Sequence, residues 1–236
     1  MVEMLCQIPI QSVPSEEDER LSVSQELMRR ISACEMSRST SLDLGRLDLV
    51  ALPERVTEFT WLQYLNLGGN SLAALPSEIG NLTALETLEL NRNPIIELPH
   101  SFGNLLNLKV LWCSATKLTR LPDEFKQLLK LTDLSTSNQF TEVPLELSPL
   151  VSLRRLWLGV NNITSIPAWL GDLTSLEHLS LFGNPLVSLP PELGRLTKLK
   201  TLDLRETLLR SPPPNIVKES TRVLTGLGPR SHVARQ

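Results

Sequence analysis

The side chains that could make or break bonds are few in this 236-residue chain, and they stand apart from one another. Its three histidines, His100, His178 and His232, share no spacing that would set a general base beside a nucleophile or gather ligands on a metal. Cys6, Cys34 and Cys113 are odd in number and lack the pairing of a thiolate site or a disulfide framework. Serines are plentiful, but the sequence contains neither a GxSxG elbow nor the phosphate-cradling GxxxxGK[ST] loop. Glu86 and Glu89 form a candidate carboxylate pair, yet with an arginine nearby they read as solvated ion-pairing groups rather than an acid and a base. The sequence therefore predicts no enzyme, no catalytic residue, no cofactor and no metal. It offers recognition chemistry instead: ten aromatic side chains, among which Tyr64, Trp112, Trp157 and Phe182 need a positional explanation.

That explanation comes from a repeat. The stretch LWCSATKL (111–118) aligns with LNLGGNSL (65–72), LELNRNPI (88–95) and LSLFGNPL (179–186). Leu62, Leu85, Leu108, Leu131, Leu153, Leu176 and Leu199 open successive units, at spacings of 23, 23, 23, 22, 23 and 23. Within each unit LxxLxLxxN alternates buried and variable residues, the period of a strand with one face in a core. After a Leu-Pro step the spacing changes to IxxLxxL, which suits a 3₁₀ or irregular helical turn. No unit can bury its leucines alone, so at ~1.5 to 3 kcal/mol per buried Leu or Ile the stability must come from stacking.

In this register the chain resembles the leucine-rich repeat family in its 23-residue intracellular form, over about three quarters of its length. The resemblance implies an α/β fold: a right-handed solenoid with a concave parallel sheet, short helical or 3₁₀ turns on the convex side, and N- and C-terminal capping helices. Asn70, Asn93, Asn138, Asn161 and Asn184 recur where each strand turns away, with Thr116 and Thr207 in their place twice. They match the family's asparagine ladder, in which each amide satisfies backbone groups that the turning chain leaves unpaired. LWCSATKL lacks its asparagine, and the next unit is the shortened one, with Thr136 where a core leucine is usual. Two irregular units therefore adjoin in mid-array.

The same register turns a set of side chains away from the core. One row runs Asp43, Asn66, Glu89, Trp112, Ser135, Trp157, Ser180, Asp203, and the row before it Ser41, Tyr64, Thr87, Val110, Asp133, Arg155, His178, Thr201. Phe182 and Arg205 stand beyond the second strand leucine. A strand residue directed away from the core has no packing reason to be tryptophan. Val110, Trp112, Trp157, Val160 and Phe182 make an apolar centre, with Tyr64, Glu89, Arg92, Asp133, Arg155 and His178 around it, and that is the anatomy of a protein interface. The competing reading has neighbouring side chains cover each ring. Trp61 and Trp169 lie off this face, and Trp169, beside Pro167, could mark a second contact on the outer side.

A net charge of −3 disfavours nucleic acid, and no run of 18 apolar residues offers a membrane span. The first twenty residues lack the basic-then-apolar pattern of a secretory leader, and with the unpaired cysteines this points to the cytoplasm. Residues 1–14 are expected to be a loose N-terminus. Residues 15–38 form a capping helix from a Ser15 capping box, with an apolar stripe of Leu21, Leu27, Met28, Ile31 and Cys34. Residues 39–211 hold about eight repeats and 229–236 are a tail. Residues 212–228 form a C-terminal cap that resembles the helical segment closing the arrays of Roco-type proteins. The expected function is non-catalytic binding of a protein or peptide on the concave face. A regulatory array acting on a separate GTPase or kinase and a self-associating structural protein are the alternatives, with the oligomeric state open.

Overall fold

A computed structural model describes residues 16–209 and 222–225. Each repeat contributes one short strand: β1 (Ser41–Asp43), β2 (Tyr64–Asn66), β3 (Thr87–Glu89), β4 (Val110–Trp112), β5 (Asp133–Ser135), β6 (Arg155–Trp157), β7 (His178–Ser180) and β8 (Thr201–Leu204). With β9 (Arg222–Thr225) they form one nine-stranded parallel sheet in chain order. The central leucines Leu42, Leu65, Leu88, Leu111, Leu134, Leu156, Leu179 and Leu202 pair across neighbouring strands, as the repeat predicts, and all are buried.

The opposite wall consists of the short helix α2 (Glu54–Thr57) and 3₁₀ turns at Ser77–Asn81, His100–Asn104, Asp123–Gln127, Leu145–Leu147, Ala168–Asp172 and Pro191–Arg195. Each begins directly after a proline, whose fixed φ and missing N–H suit an element's first turn. Successive turns stack so tightly that a Cβ at Gly171 would lie 2.2 Å from the carbonyl oxygen of Glu192. Glycine there is a packing requirement.

The asparagines sit between these walls. Asn70 Nδ2 donates to the carbonyls of Leu44 (2.9 Å) and Leu67 (2.8 Å), while its Oδ1 accepts from Leu47 N (2.9 Å) and Leu49 N (3.1 Å). Asn161 repeats this with the carbonyls of Thr136 and Leu158 and the amides of Asn138 and Phe140. Asn93 and Asn184 likewise bond their own strand and the preceding one. The pattern changes in mid-array. The Thr116 hydroxyl lies 3.1 Å from the Cys113 carbonyl and 2.8 Å from Asn138 Oδ1, one proton between two acceptors. Asn138 is only half-buried, and its Nδ2 donates to Cys113 O (3.0 Å) and Thr136 Oγ1 (2.7 Å).

The structure locates the residue that the short unit has lost. Immediately before each ladder position a residue takes left-handed φ: Arg46, Gly69, Arg92, Ala115, Val160, Gly183 and Glu206, between 54° and 69°. Among the described residues the 22-residue unit has no counterpart, because only Ser137 separates Thr136 from Asn138.

At the front, α1 (Glu16–Ser37) lies against β1, with Ile31 and Cys34 buried and Val23 and Leu27 packed partly against the core. Met28 departs from the expected stripe, being 52% exposed. One residue beyond Leu27, it is turned about 100° around the helix from the 27–31–34 face. Ser15 and residues 1–14 lie outside the described residues. At the back, the expected capping helix needs correction: Arg222–Thr225 is strand, in register with Thr201–Leu204. A parallel strand satisfies the open edge of β8 through its main chain, as in Arg222 N donating to Lys200 O at 2.8 Å, which a helix laid on that edge could not do. The β-branched Val223 and Thr225 favour that choice. The rest of the 212–228 segment and residues 229–236 are outside the described residues.

Candidate interaction surface

Because each strand is only three or four residues long, one residue on either side of its central leucine faces outward. The pairing sets Asp43, Asn66, Glu89, Trp112, Ser135, Trp157, Ser180 and Asp203 in a single row across the sheet. At its front the outward groups bond one another. Asn66 Nδ2 donates to Asp43 Oδ1 (2.9 Å) and the Tyr64 hydroxyl to Glu89 Oε1 (2.6 Å). Burial, and then the Glu89 carboxylate, push the Tyr64 hydroxyl above its ordinary pKa, so it stays a donor.

From β4 the row changes character. Trp112 is 37% exposed, Trp157 and Phe182 are half-buried, and Val160 is 57% exposed. Between the rings stand Ser135, Gly159 and Ser180, and these small residues open a shallow groove of about 640 Å³. Sequence reading placed the rings but assigned no part to the small residues, although Ser135 and Ser180 stand in the row of the tryptophans and Gly159 in the position of Phe182. Trp112 and Trp157 lie two strand steps apart, roughly 10 Å. Arg155 and Arg205 carry their guanidinium carbons 5.9 Å and 5.5 Å from the ring centroids of Trp157 and Phe182. Arg205 also grips Asp203 through two hydrogen bonds, of 2.9 and 2.7 Å, and holds that carboxyl below its usual range.

The other expected contact residues fall less uniformly. Arg92 lines the groove and makes no ion pair among the described residues; Val110 and His178 are half-buried on the second row. Asp133 does not offer a free rim charge: it is 5% exposed, ion-paired with Arg155 and accepting the Thr132 hydroxyl at 2.7 Å. Register alone held this clue, since Asp133 and Arg155 are partners on adjacent strands. Trp61 stacks on Phe59 and donates to Ser39 O (3.0 Å), while Trp169 packs partly against the core. Beneath Trp112, full burial pushes the Cys113 thiol up to about 12, which keeps it protonated and unreactive. Among the described residues no three His, Cys, Asp or Glu side chains gather as metal ligands, and no helix is long and apolar enough to cross a membrane.

Residues 22–166 match the family described as "Leucine-rich repeat region", and residues 151–189 match "Leucine Rich repeats (2 copies)". A leucine-rich repeat protein of Leptospira interrogans is 33% identical, with a TM-score of 0.72 over 78% of this chain and 53% of its own. The present chain thus spans about half the length of that relative. The leucine-rich repeat domain of the type III effector XopL is 23% identical, with a TM-score of 0.69 over 92% of this chain and 85% of that one. An internalin of Listeria monocytogenes is 24% identical, with a TM-score of 0.62 over 80% and 61%. The last two likenesses concern the fold alone. No curated protein matches the sequence.

Proposed function

Because this chain belongs to the leucine-rich repeat family, whose domains generally mediate protein–protein interaction, we propose that it is a non-catalytic module that holds a protein or peptide segment in its concave face. The observation that carries this reading is Trp112. Its ring is 37% exposed on a strand whose core side is filled by Leu111, so packing gives no reason for it. Trp157, Phe182 and Val160 extend the same apolar surface, with Arg92, Arg155 and Arg205 at its margin. Covering such a surface returns hydration free energy, and tryptophan and arginine are the side chains most often found at binding hot spots. The cytoplasm suits this reading, because Cys34 and Cys113 are free and buried.

The test is affinity purification with the intact chain and with a Trp112→Ala, Trp157→Ala double variant, followed by titration of each recovered protein. A partner kept by the intact chain and lost by the folded variant supports the concave site. A partner held equally by both removes it.

A further inference from the structure

The loop that leads from each convex turn into the next strand holds an exposed threonine in the outer units: Thr60, Thr83, Thr174 and Thr197. In three consecutive central units the same place is taken by Leu106, Leu129 and Val151, whose side chains are 53%, 56% and 54% exposed. The core does not use them, since Leu105, Leu128 and Leu150 beside them are fully buried. The charges around them are equally uneven. Residues 103–109, 126–132 and 148–154 contain Lys109, Lys126, Lys130 and Arg154 and no acid, in a chain whose net charge is −3. Lys109 is neutralised by Glu86 at 2.7 Å and Arg154 by Glu177, both acids of flanking units. Lys126 and Lys130 form no ion pair among the described residues, and the Lys130 ammonium donates to the neutral Asn107 amide at 2.7 Å. Acids return on the convex turns at Asp123, at Glu124, which faces His100 at 2.8 Å, and at Glu146.

We propose that this edge docks an acidic amphipathic helix of a partner protein, laid across three repeats with its apolar stripe on Leu106, Leu129 and Val151 and its carboxylates toward Lys126 and Lys130. The two periodicities agree. Neighbouring strands step by about 4.8 Å and a helix advances about 5.4 Å per turn, so side chains at i, i+4 and i+7 meet successive repeats. Charge complementarity fixes the sign of the flanking residues. A symmetric pairing of two copies through this edge would set Lys126 and Lys130 against themselves. This edge is separate from the concave groove, and its variants leave Trp112 and Trp157 untouched.

The test uses the intact chain, two labelled synthetic helices with the same leucine stripe, one flanked by Glu and one by Lys, and vesicles of equal parts phosphatidylcholine and phosphatidylserine. The Glu-flanked helix binds and the Lys-flanked one does not. A triple variant, Leu106→Thr, Leu129→Thr, Val151→Thr, carries what the outer units carry; it keeps its denaturation midpoint and binds at least about tenfold more weakly. Lys126→Glu with Lys130→Glu loses the acidic helix and accepts the basic one. The proposal is overturned if the Glu-flanked helix fails to bind, binds the triple variant equally well, or is lost on Trp112→Ala instead. Stripe-dependent binding to the vesicles, or a dimer that the stripe variants dissociate, assigns the edge to a lipid surface or a second copy and overturns it equally.

Discussion

Strands β1 to β3 and β4 to β7 present the same backbone to the concave side and differ in what they do with it. On the front strands the outward groups satisfy each other, Asn66 with Asp43 at 2.9 Å and Tyr64 with Glu89 at 2.6 Å. A ligand there would have to break bonds already made. On the later strands Trp112, Trp157 and Phe182 are separated by Ser135, Gly159 and Ser180 and have little to bond with, so their apolar area remains against water. The leucines hold the scaffold constant, which leaves the variable positions free to take either character. The ladder also departs from its pattern at Thr116 and Asn138, in the turns just after β4 and β5, where the aromatic stretch begins.

The sharpest way to break this comparison is on one strand. Leu156→Ala opens a cavity in a fully buried site and is expected to cost ~2 to 5 kcal/mol of stability, read from chemical denaturation. Trp157→Ala, one residue along and half-buried, is expected to cost much less. Equal losses would make Trp157 a packing residue and dissolve the distinction between the two halves of the row.

The strands and their pairing were legible because a fixed 23-residue period carries register from one unit to all the others. The same leucines therefore name the outward rows from sequence alone. What escaped reading depended on interactions between units or on local backbone form. Asp133 looked like a rim charge until its position opposite Arg155 was counted as a bond. Arg222–Thr225 looked helical by analogy with other arrays, although Arg-Val-Leu-Thr is a sequence that pairs readily with an open edge. The loss of one left-handed residue from the short unit needed dihedral angles, because Ser137 and Asn138 alone do not say which position was deleted.

The next effect is on binding. Replacing Trp112 and Trp157 singly by alanine is expected to cost ~2 kcal/mol or more in affinity for the concave partner, measured by calorimetry, with the denaturation midpoint little changed. Substituting Asn66 on the self-bonded stretch should cost far less. Were the front residue to matter as much as the tryptophans, the partner would cover the whole row.

A smaller effect separates the two kinds of ladder position. Asn161 is 5% exposed and makes five backbone bonds, so Asn161→Ala is expected to cost ~1 to 3 kcal/mol. Asn138→Ala should cost about 1 kcal/mol, because two of its partners are hydroxyls that can turn elsewhere and water can reach the half-buried site. Identical costs would mean that the mid-array is as tightly satisfied as the regular units.

The smallest effect has opposite signs in folding and in binding. Val160 holds φ at 54°, where Gly69 and Gly183 stand in other units, and a β-branched residue is poorly suited to that region. Left-handed geometry costs an L-residue roughly 1 to 2 kcal/mol, while glycine gives back ~0.5 to 1 kcal/mol through its freer unfolded chain. Val160→Gly is therefore expected to raise stability by a few tenths to about 1 kcal/mol, since the side chain is 57% exposed and gives up little burial. The same change removes one apolar wall of the groove, so affinity for a concave partner should fall by about 1 kcal/mol. A lower denaturation midpoint would show that the valine packs; unchanged affinity would show that the partner stops short of β6. Stability gained with affinity lost is the combination expected if the strain at this position is retained for the surface it presents.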